Sequence, residues 1–508
     1  MRKLYLLLTV VLLLNACKDI DSINDIAPDQ ENVISTGADL QKTLQQSYDT
    51  WWQSIHGEHP NLALLVAGDA YGLSRGDFGT IEMGMEPREQ FPNQLTAAAH
   101  LRAITETPWY GLLSSVASAN DVLIALDKGV TIDQGGVQDE NIRAAAHLVR
   151  GLSWGYLGLL FDKSVLVDEQ TKLEAGLPFV EYEEMVKAAV EELEIAIELS
   201  EQIGFDFFHN YFYEANLDGD QFSQLAHSYA ARFLAQVART PEENQSTNWS
   251  AVLAHAEKGL SFDFAPSVDG KVWQSYQQYV FAETGKGPFW ARIDQRLVAA
   301  LDPSQPARYP EVLMKNESPL SEKKAQSRDA RLLSDFVFEE RVFFEAVKGE
   351  WHFSHYRHHR NSNDPSFEGD GWSFGKMPVF LKMDNELLKA EATLRLGELE
   401  GANSIVNNSS RTNRGELPYI QRASKEELEE VILYERAIEL LGTAPFGLWL
   451  DRRRLSDREV SEEVSALGGL QFGTPAQLPV PAKELSARGE DFYTFGGEND
   501  PEGIVPVR

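Results

Sequence analysis

Apolar residues recur three and four positions apart over several long stretches, and that period dictates helices with one buried face. Ile142, Ala145, Val149, Leu152, Tyr156 and Leu159 follow it across 141–161. Val186, Val190, Leu193 and Ile197 do so across 181–202, and Phe222, Leu225, Tyr229, Phe233 and Val237 mark a third helix. A short fourth runs from Trp249 to Leu260, after the break from Pro241 to Thr247. Small residues accompany aromatics on these helices: Ala144, Ala145 and Ala146 with Trp154 and Tyr156, then Ala226, Ala230 and Ala231 with Tyr229 and Phe233. Small residues let helices approach closely while the rings fill the gaps, as in tetratricopeptide stacking. The pattern predicts a mostly α fold of degenerate tetratricopeptide-like helix pairs. Helices are predicted again at 384–399 and 426–442, ahead of an extended tail containing Leu478-Pro479-Val480-Pro481.

Between about 262 and 378 the helical period weakens and Gly, Pro, Asp and Asn become frequent. Aromatics crowd the same stretch, among them Phe262, Trp273, Tyr276, Trp290, Trp351 and Trp372. Long loops inside a compact protein are mostly functional or disordered, and the aromatic content argues against disorder. This segment reads as a loop-rich, aromatic-rich insertion in the helical scaffold.

The amino-terminal residues carry a targeting signal. Arg2 and Lys3 precede an apolar run from Leu4 to Leu14, too short for a transmembrane helix of roughly 20 residues and fitting a secretory signal peptide. Leu14-Asn15-Ala16-Cys17 looks like a bacterial lipobox, which implies cleavage after residue 16 and acylation of Cys17. That residue is the only cysteine, so no internal disulfide forms. Lys18, Asp19 and Asp21 resemble an export signal to the outer leaflet, and 17–35 reads as a lipidated, polar tether. The formal charge is −32, which argues against nucleic-acid binding and against adhesion to anionic lipid heads.

Several chemical motifs fail on context. Gly151-Leu152-Ser153-Trp154-Gly155 spells a nucleophile elbow, but both flanks belong to one amphipathic helix rather than a strand–turn–helix. His352, His355, His358 and His359 have spacings a metal would accept, yet Trp351 to Tyr356 alternates like a strand and no HExxH occurs. A polar surface or ligand-contacting stretch fits them better than a metal site. Asp364, Glu368 and Asp370, and likewise Asp218-Gly219-Asp220, lack the ligand spacing of a calcium loop. No cofactor motif is present, and nothing positive points to catalysis.

Taken in order, further segments resemble the SusD/RagB family of nutrient-binding outer-membrane lipoproteins. They are Trp109-Tyr110-Gly111 with Ala119-Asn120-Asp121-Val122-Leu123, the run Arg143 to Asp162, and Leu387 to Gly397 with its Ala390-Glu391-Ala392 core. Asn407 with Arg414 to Pro418 follows, then Ile432 to Leu440, Trp449-Leu450-Asp451 with Arg453 and Arg454, and the closing Leu478 to Pro481. The chain departs from the family pattern at Gly442-Thr443-Ala444-Pro445 and at Leu448-Trp449. The resemblance implies a single SusD-like helical domain over 36–508, surface exposure on the outer membrane, and a SusC-like TonB-dependent transporter as partner. It also assigns Glu435, Arg436 and Glu439 to the scaffold, where charges so spaced pair with each other or with Arg452 to Arg454.

The implied activity is capture of a glycan for that transporter, without catalysis. Sugars present apolar faces edged with hydroxyls, so their sites want exposed aromatic platforms beside directed polar groups. Trp273 and Tyr276 near glutamines, Trp290 beside Arg292 and Asp294, Trp372 after an Asp/Gly-rich turn, and Tyr71 near Asp69 and Arg75 fit that description. A peptide-binding member of the same family, a surface glycosidase and a helical-repeat scaffold are the competing readings.

Overall fold

The computed structural model describes residues 34–73, 76, 78–171, 177–202, 211–281, 291–310, 323–340, 351–360 and 375–508. The signal-like run, Cys17 and most of the tether lie outside the described residues. No helix among the described residues is long and apolar enough to cross a membrane.

Helix α1 (Gly37–His56) begins at a capping box: the Thr36 hydroxyl accepts from the Asp39 backbone N–H, and the Asp39 carboxylate accepts from that of Thr36. Such a cap contributes about 1 kcal/mol and fixes the helix start. Leu40, Leu44, Tyr48, Trp51 and Ile55 then turn inward at spacings of three and four. After α2 (Asn61–Ala67) and strand β1 (Tyr71–Leu73), the long helix α3 (Ala99–Asp127) packs against α1. There Ser47 donates to the Ser115 carbonyl at 2.8 Å, and Gly111 admits Ser54, whose Oγ would lie 1.9 Å from an added Cβ.

The predicted helix pairs follow. Helix α4 (Val137–Leu160) packs on α3 and on α5 (Tyr182–Gln202), and α5 on α6 (Gly219–Gln236), with α7 (Trp249–Ala256) beyond. The mixture of small and aromatic residues works as the sequence suggests: a Cβ on Gly155 of α4 would fall 2.1 Å from the Phe233 ring of α6. Ser153 sits inside α4 and donates to the Val149 carbonyl at 2.8 Å, an ordinary helical hydroxyl. Asp218 is the N-cap of α6, accepting from the Gln221 N–H at 2.8 Å, so its carboxylate is engaged by the helix end.

The described parts of the 262–378 segment are built from short elements. Strand β2 (Ala291–Ile293) pairs antiparallel with β1, Tyr71 opposite Ile293 and Leu73 opposite Ala291. Helices α8 (Gln295–Leu301) and α9 (Arg331–Ser334) follow, then β3 (Phe336–Phe338), antiparallel to β4 (Tyr356–His358). The carboxyl-terminal helices α10 (Lys382–Arg395), α11 (Leu399–Asn407) and α13 (Lys425–Glu439) enclose an apolar cluster of Ala390, Leu394, Ala402, Val406, Leu428 and Ile432. Short α12 (Ser410–Asn413) lies between α11 and α13 in sequence, and α14 (Gly447–Leu455) follows α13. A second, larger apolar cluster runs from Leu40 to Leu485, joining the helical pairs to the middle segment.

Two expectations are corrected here. His352, His355 and His358 are buried rather than part of a polar surface. Each has an internal partner: Asp294 and Glu86 for His352, the Glu339 carbonyl for His355, and the Tyr71 hydroxyl for His358. Glu435 and Glu439 are scaffold residues, but they do not pair with Arg452 to Arg454. Their cations are Arg331, Arg360 and Arg414, while Arg436 pairs with Asp451 and Asp384.

Candidate functional site

A cleft of about 990 Å³ draws its walls from five separate stretches of chain. One wall is α8, and its placement is set by charge. Asp294 caps the helix, accepting from the Arg296 N–H at 2.8 Å. The Arg296 guanidinium, fully buried, donates to Asp69 at 2.7 Å and to Glu459 at 2.6 Å. Arg88 binds the other Asp69 oxygen. Burial alone would raise the Asp69 pKa, but Arg88 and Arg296 outweigh it and hold the carboxyl well below its ordinary range.

His352 bridges Asp294 at 3.1 Å and Glu86 at 2.7 Å, and Glu86 accepts from Arg308 at 2.8 Å. Burial disfavours the imidazolium, yet Asp294 and Glu86 lift the His352 pKa to about 10. Burial likewise pushes Glu86 up, and His352 with its other cations brings it down to about 2. Arg308 also lies 3.7 Å over the Trp351 ring, a cation–π contact. Charges paired this way fix the geometry of α8 and of the turn after it. The far end of α8, Ala299 to Leu301, then lines the cleft with Pro303, Gln305 and Ala307.

The opposite wall is α13, which Ser424 caps by accepting from the Glu427 N–H. Glu427, Glu430, Val431 and Tyr434, three or four apart, share one face and all line the cleft. The Tyr434 hydroxyl donates to Asp329 at 2.6 Å. Asp329 in turn takes Arg331, whose guanidinium also reaches Glu435 at 2.7 and 2.8 Å and Glu439 at 3.2 Å. Burial pushes the Asp329 pKa up, but the hydrogen bonds and charge of Arg331 outweigh it and hold the carboxyl below its ordinary value. The remaining walls are Arg411, Leu417, Ile420 and Arg422, then Ser465 to Leu467. Tyr419, between two of those lining residues in sequence, is 62% exposed, more than any other aromatic among the described residues.

Three arginines line this cleft: Arg328, Arg411 and Arg422. Their side chains have no hydrogen-bond or ion-pair partner among the described residues, and the Nε of Arg411 is buried in that state.

The structure corrects three of the expected platforms. Tyr71, Trp273 and Tyr276 are all buried and present no ring face to solvent. Their polar tips are satisfied internally: Tyr71 by His358 at 2.7 Å, the Trp273 indole by Asp49 at 2.9 Å, Tyr276 by the Gly442 carbonyl at 3.1 Å. Trp273 lies 4.4 Å from Trp52, ring to ring. The polar neighbours that suggested ligand contacts serve the core instead; Arg292, for example, pairs with Glu339 at 2.7 Å. Trp290, Trp372 and Cys17 lie outside the described residues. The cleft residue that sequence reasoning did not single out as a ligand contact is Tyr434, although the 427/430/431/434 spacing was there to mark one face of α13.

No family model matches the sequence, and no curated protein matches it. Solved structures do. A SusD superfamily protein from Parabacteroides distasonis aligns over 89% of this chain and 98% of its own, with a TM-score of 0.61 at 13% identity. A SusD-like carbohydrate binding protein from Bacteroides vulgatus aligns over 83% of this chain and 84% of its own, with a TM-score of 0.57 at 16% identity. The chain has the SusD-like fold. Surface glycan-binding protein A from Bacteroides uniformis shares it, with a TM-score of 0.55 at 15% identity over 89% of this chain and 98% of that one. The helical-repeat scaffold read from the periodicity is therefore the SusD-like one.

Proposed function

We propose that this chain is a lipid-anchored surface protein that captures a glycan and delivers it to a TonB-dependent outer-membrane transporter. The cleft between α8 and α13 is the observation that carries the reading. Its volume lies in the range that holds small ligands, roughly 300–1,000 Å³. The lining combines apolar Ala299, Leu301, Leu417 and Val431 with Gln305, Gln326, Ser327 and the arginines. That mixture suits a ligand with apolar faces and hydroxyl edges. Just under half of the lining comes from the 262–378 segment, and the names of the SusD-like neighbours from B. vulgatus and B. uniformis describe carbohydrate or glycan binding.

The cleft lends no support to hydrolysis. A glycosidase needs two free carboxyls facing each other across the bond. Here Asp329 is bound to Arg331 and Tyr434, and Glu427 closes the cap of α13, which leaves Glu430. Acylation at Cys17 and export to the cell surface rest on the lipobox and the residues after it. Trp290 and Trp372 are proposed as further ligand contacts on the sequence argument.

Calorimetric titration of the full chain in detergent, against oligosaccharides and peptides, tests the proposal. Saturable glycan binding, weakened by Tyr419→Ala with the melting temperature unchanged, is the expected result. Binding to peptides alone would replace glycan capture with peptide capture.

A further inference from the structure

Among the described residues, almost every arginine holds a partner through at least one guanidinium nitrogen. Those of the helical pairs, of the charged network beneath α8 and of the α13–α14 region all hold a carboxylate or a carbonyl. So do the remaining ones toward the carboxyl terminus. The described arginines that hold none are Arg328, Arg411 and Arg422, and all three line one cleft. The chain carries 78 acidic residues against 46 basic ones, so carboxylates are in surplus. A cation without a partner is therefore the unusual case, and three in one place call for a cause.

The three come from two separate parts of the chain: Arg328 from the turn before α9, and Arg411 and Arg422 from the stretch that runs from α12 to the start of α13. Only the tertiary fold brings Arg328 to the other two. Other described arginines with a buried, unpaired Nε hold a partner through their remaining nitrogens, whereas the Arg411 guanidinium holds none among the described residues, which leaves its full hydrogen-bonding capacity open to a ligand. The cleft's own carboxylates do not neutralise the group. Asp329 is taken by Arg331, Glu427 by the cap of α13, and the three arginines outnumber Glu430.

We infer that the cleft selects acidic glycans, with Arg328, Arg411 and Arg422 holding the carboxylates of uronic-acid residues. This rests on the glycan reading above. A guanidinium presents paired N–H groups in a plane that matches a carboxylate in a two-bond fork. The apolar lining beside it, Leu417, Ile420 and Val431, suits the faces of the sugar rings.

The test uses the full chain and titrates de-esterified oligogalacturonide, its fully methyl-esterified form, a neutral glucan oligosaccharide, a sulfated oligosaccharide and a glutamate-rich peptide. The de-esterified form should bind at least about tenfold tighter than the methyl ester, and its affinity should fall as salt rises. Arg411→Gln should remove that preference while leaving the melting temperature unchanged, and Arg411→Lys should restore part of it. Equal affinity for acid and ester, or for sulfated and uronic sugars, overturns the inference, as does an Arg411→Gln, Arg328→Gln, Arg422→Gln triple variant that binds normally. If the neutral glucan binds and the uronate does not, the inference falls and glycan capture stands. If only the peptide binds, both fall.

Discussion

Arg328 and Arg331 stand three residues apart, as do Arg411 and Arg414, and in each pair one arginine is fixed while the other is free. Arg331 lies inside a cage of Asp329, Glu435 and Glu439, and Arg414 joins Asp335 and Glu439. Arg328 and Arg411 line the cleft instead, without partners among the described residues. The same residue type, almost adjacent in sequence, thus does two jobs. Inward arginines neutralise buried carboxylates and fix α13; outward ones leave a site with unmet hydrogen-bonding capacity.

The comparison breaks first at Arg331. Replacing it with methionine leaves Asp329, Glu435 and Glu439 buried without their shared cation, which should cost about 3–5 kcal/mol. Chemical denaturation measures this directly. A loss below about 1 kcal/mol would mean the carboxylates protonate or hydrate easily, and the contrast between the two arginine sets would weaken.

Trp273→Ala comes next. Read as an exposed platform, Trp273 would be removable with little effect on stability. Buried against Trp52 and bonded to Asp49, it should cost about 3 kcal/mol or more. Thermal melting decides between the two, and a near-neutral result would return Trp273 to the surface.

The difficulty with Trp273 shows what was legible in the sequence. The helical scaffold was, because a 3.6-residue period marks which face is buried, and the Gly155–Phe233 contact obeys it. Composition could not say whether Trp273, Tyr276 or Tyr71 points in or out. An aromatic beside a polar group looks the same whether that group serves a ligand or, like Asp49 and His358, the ring itself. The cleft was less legible still. Its walls come from residues as distant as Ala299, Arg411, Tyr434 and Ala466, and no local pattern records that they meet.

The charged network beneath α8 predicts a pH dependence. The folded pKa of His352, about 10, exceeds its ordinary 6.5, so its contribution is complete below pH 6.5 and is lost as pH rises toward 10. Glu86 has the opposite sign: lowered from 4.5 to about 2, it contributes above pH 4.5 and loses that contribution as pH falls toward 2. The melting temperature should therefore decline on both sides of a plateau between pH 4.5 and 6.5. His352→Asn should flatten the alkaline decline specifically. An unchanged alkaline limb in that variant would show that His352 is neutral in the folded protein.

The smallest expected effect on stability is the most informative about the cleft. Arg328→Gln and Arg422→Gln remove exposed guanidiniums that hold no partner among the described residues, so each should alter folding free energy by no more than about 0.5 kcal/mol. Arg411→Gln removes a half-buried group whose Nε is already unsatisfied, so its change should be equally small or slightly stabilising. A residue kept for the fold would not behave this way, as Arg331 should demonstrate beside it in the same denaturation series. If Arg411→Gln instead costs as much as Arg331→Met, then Arg411 has a structural partner. The two arginine sets would then be one, and the reason to assign the free set to a ligand would disappear.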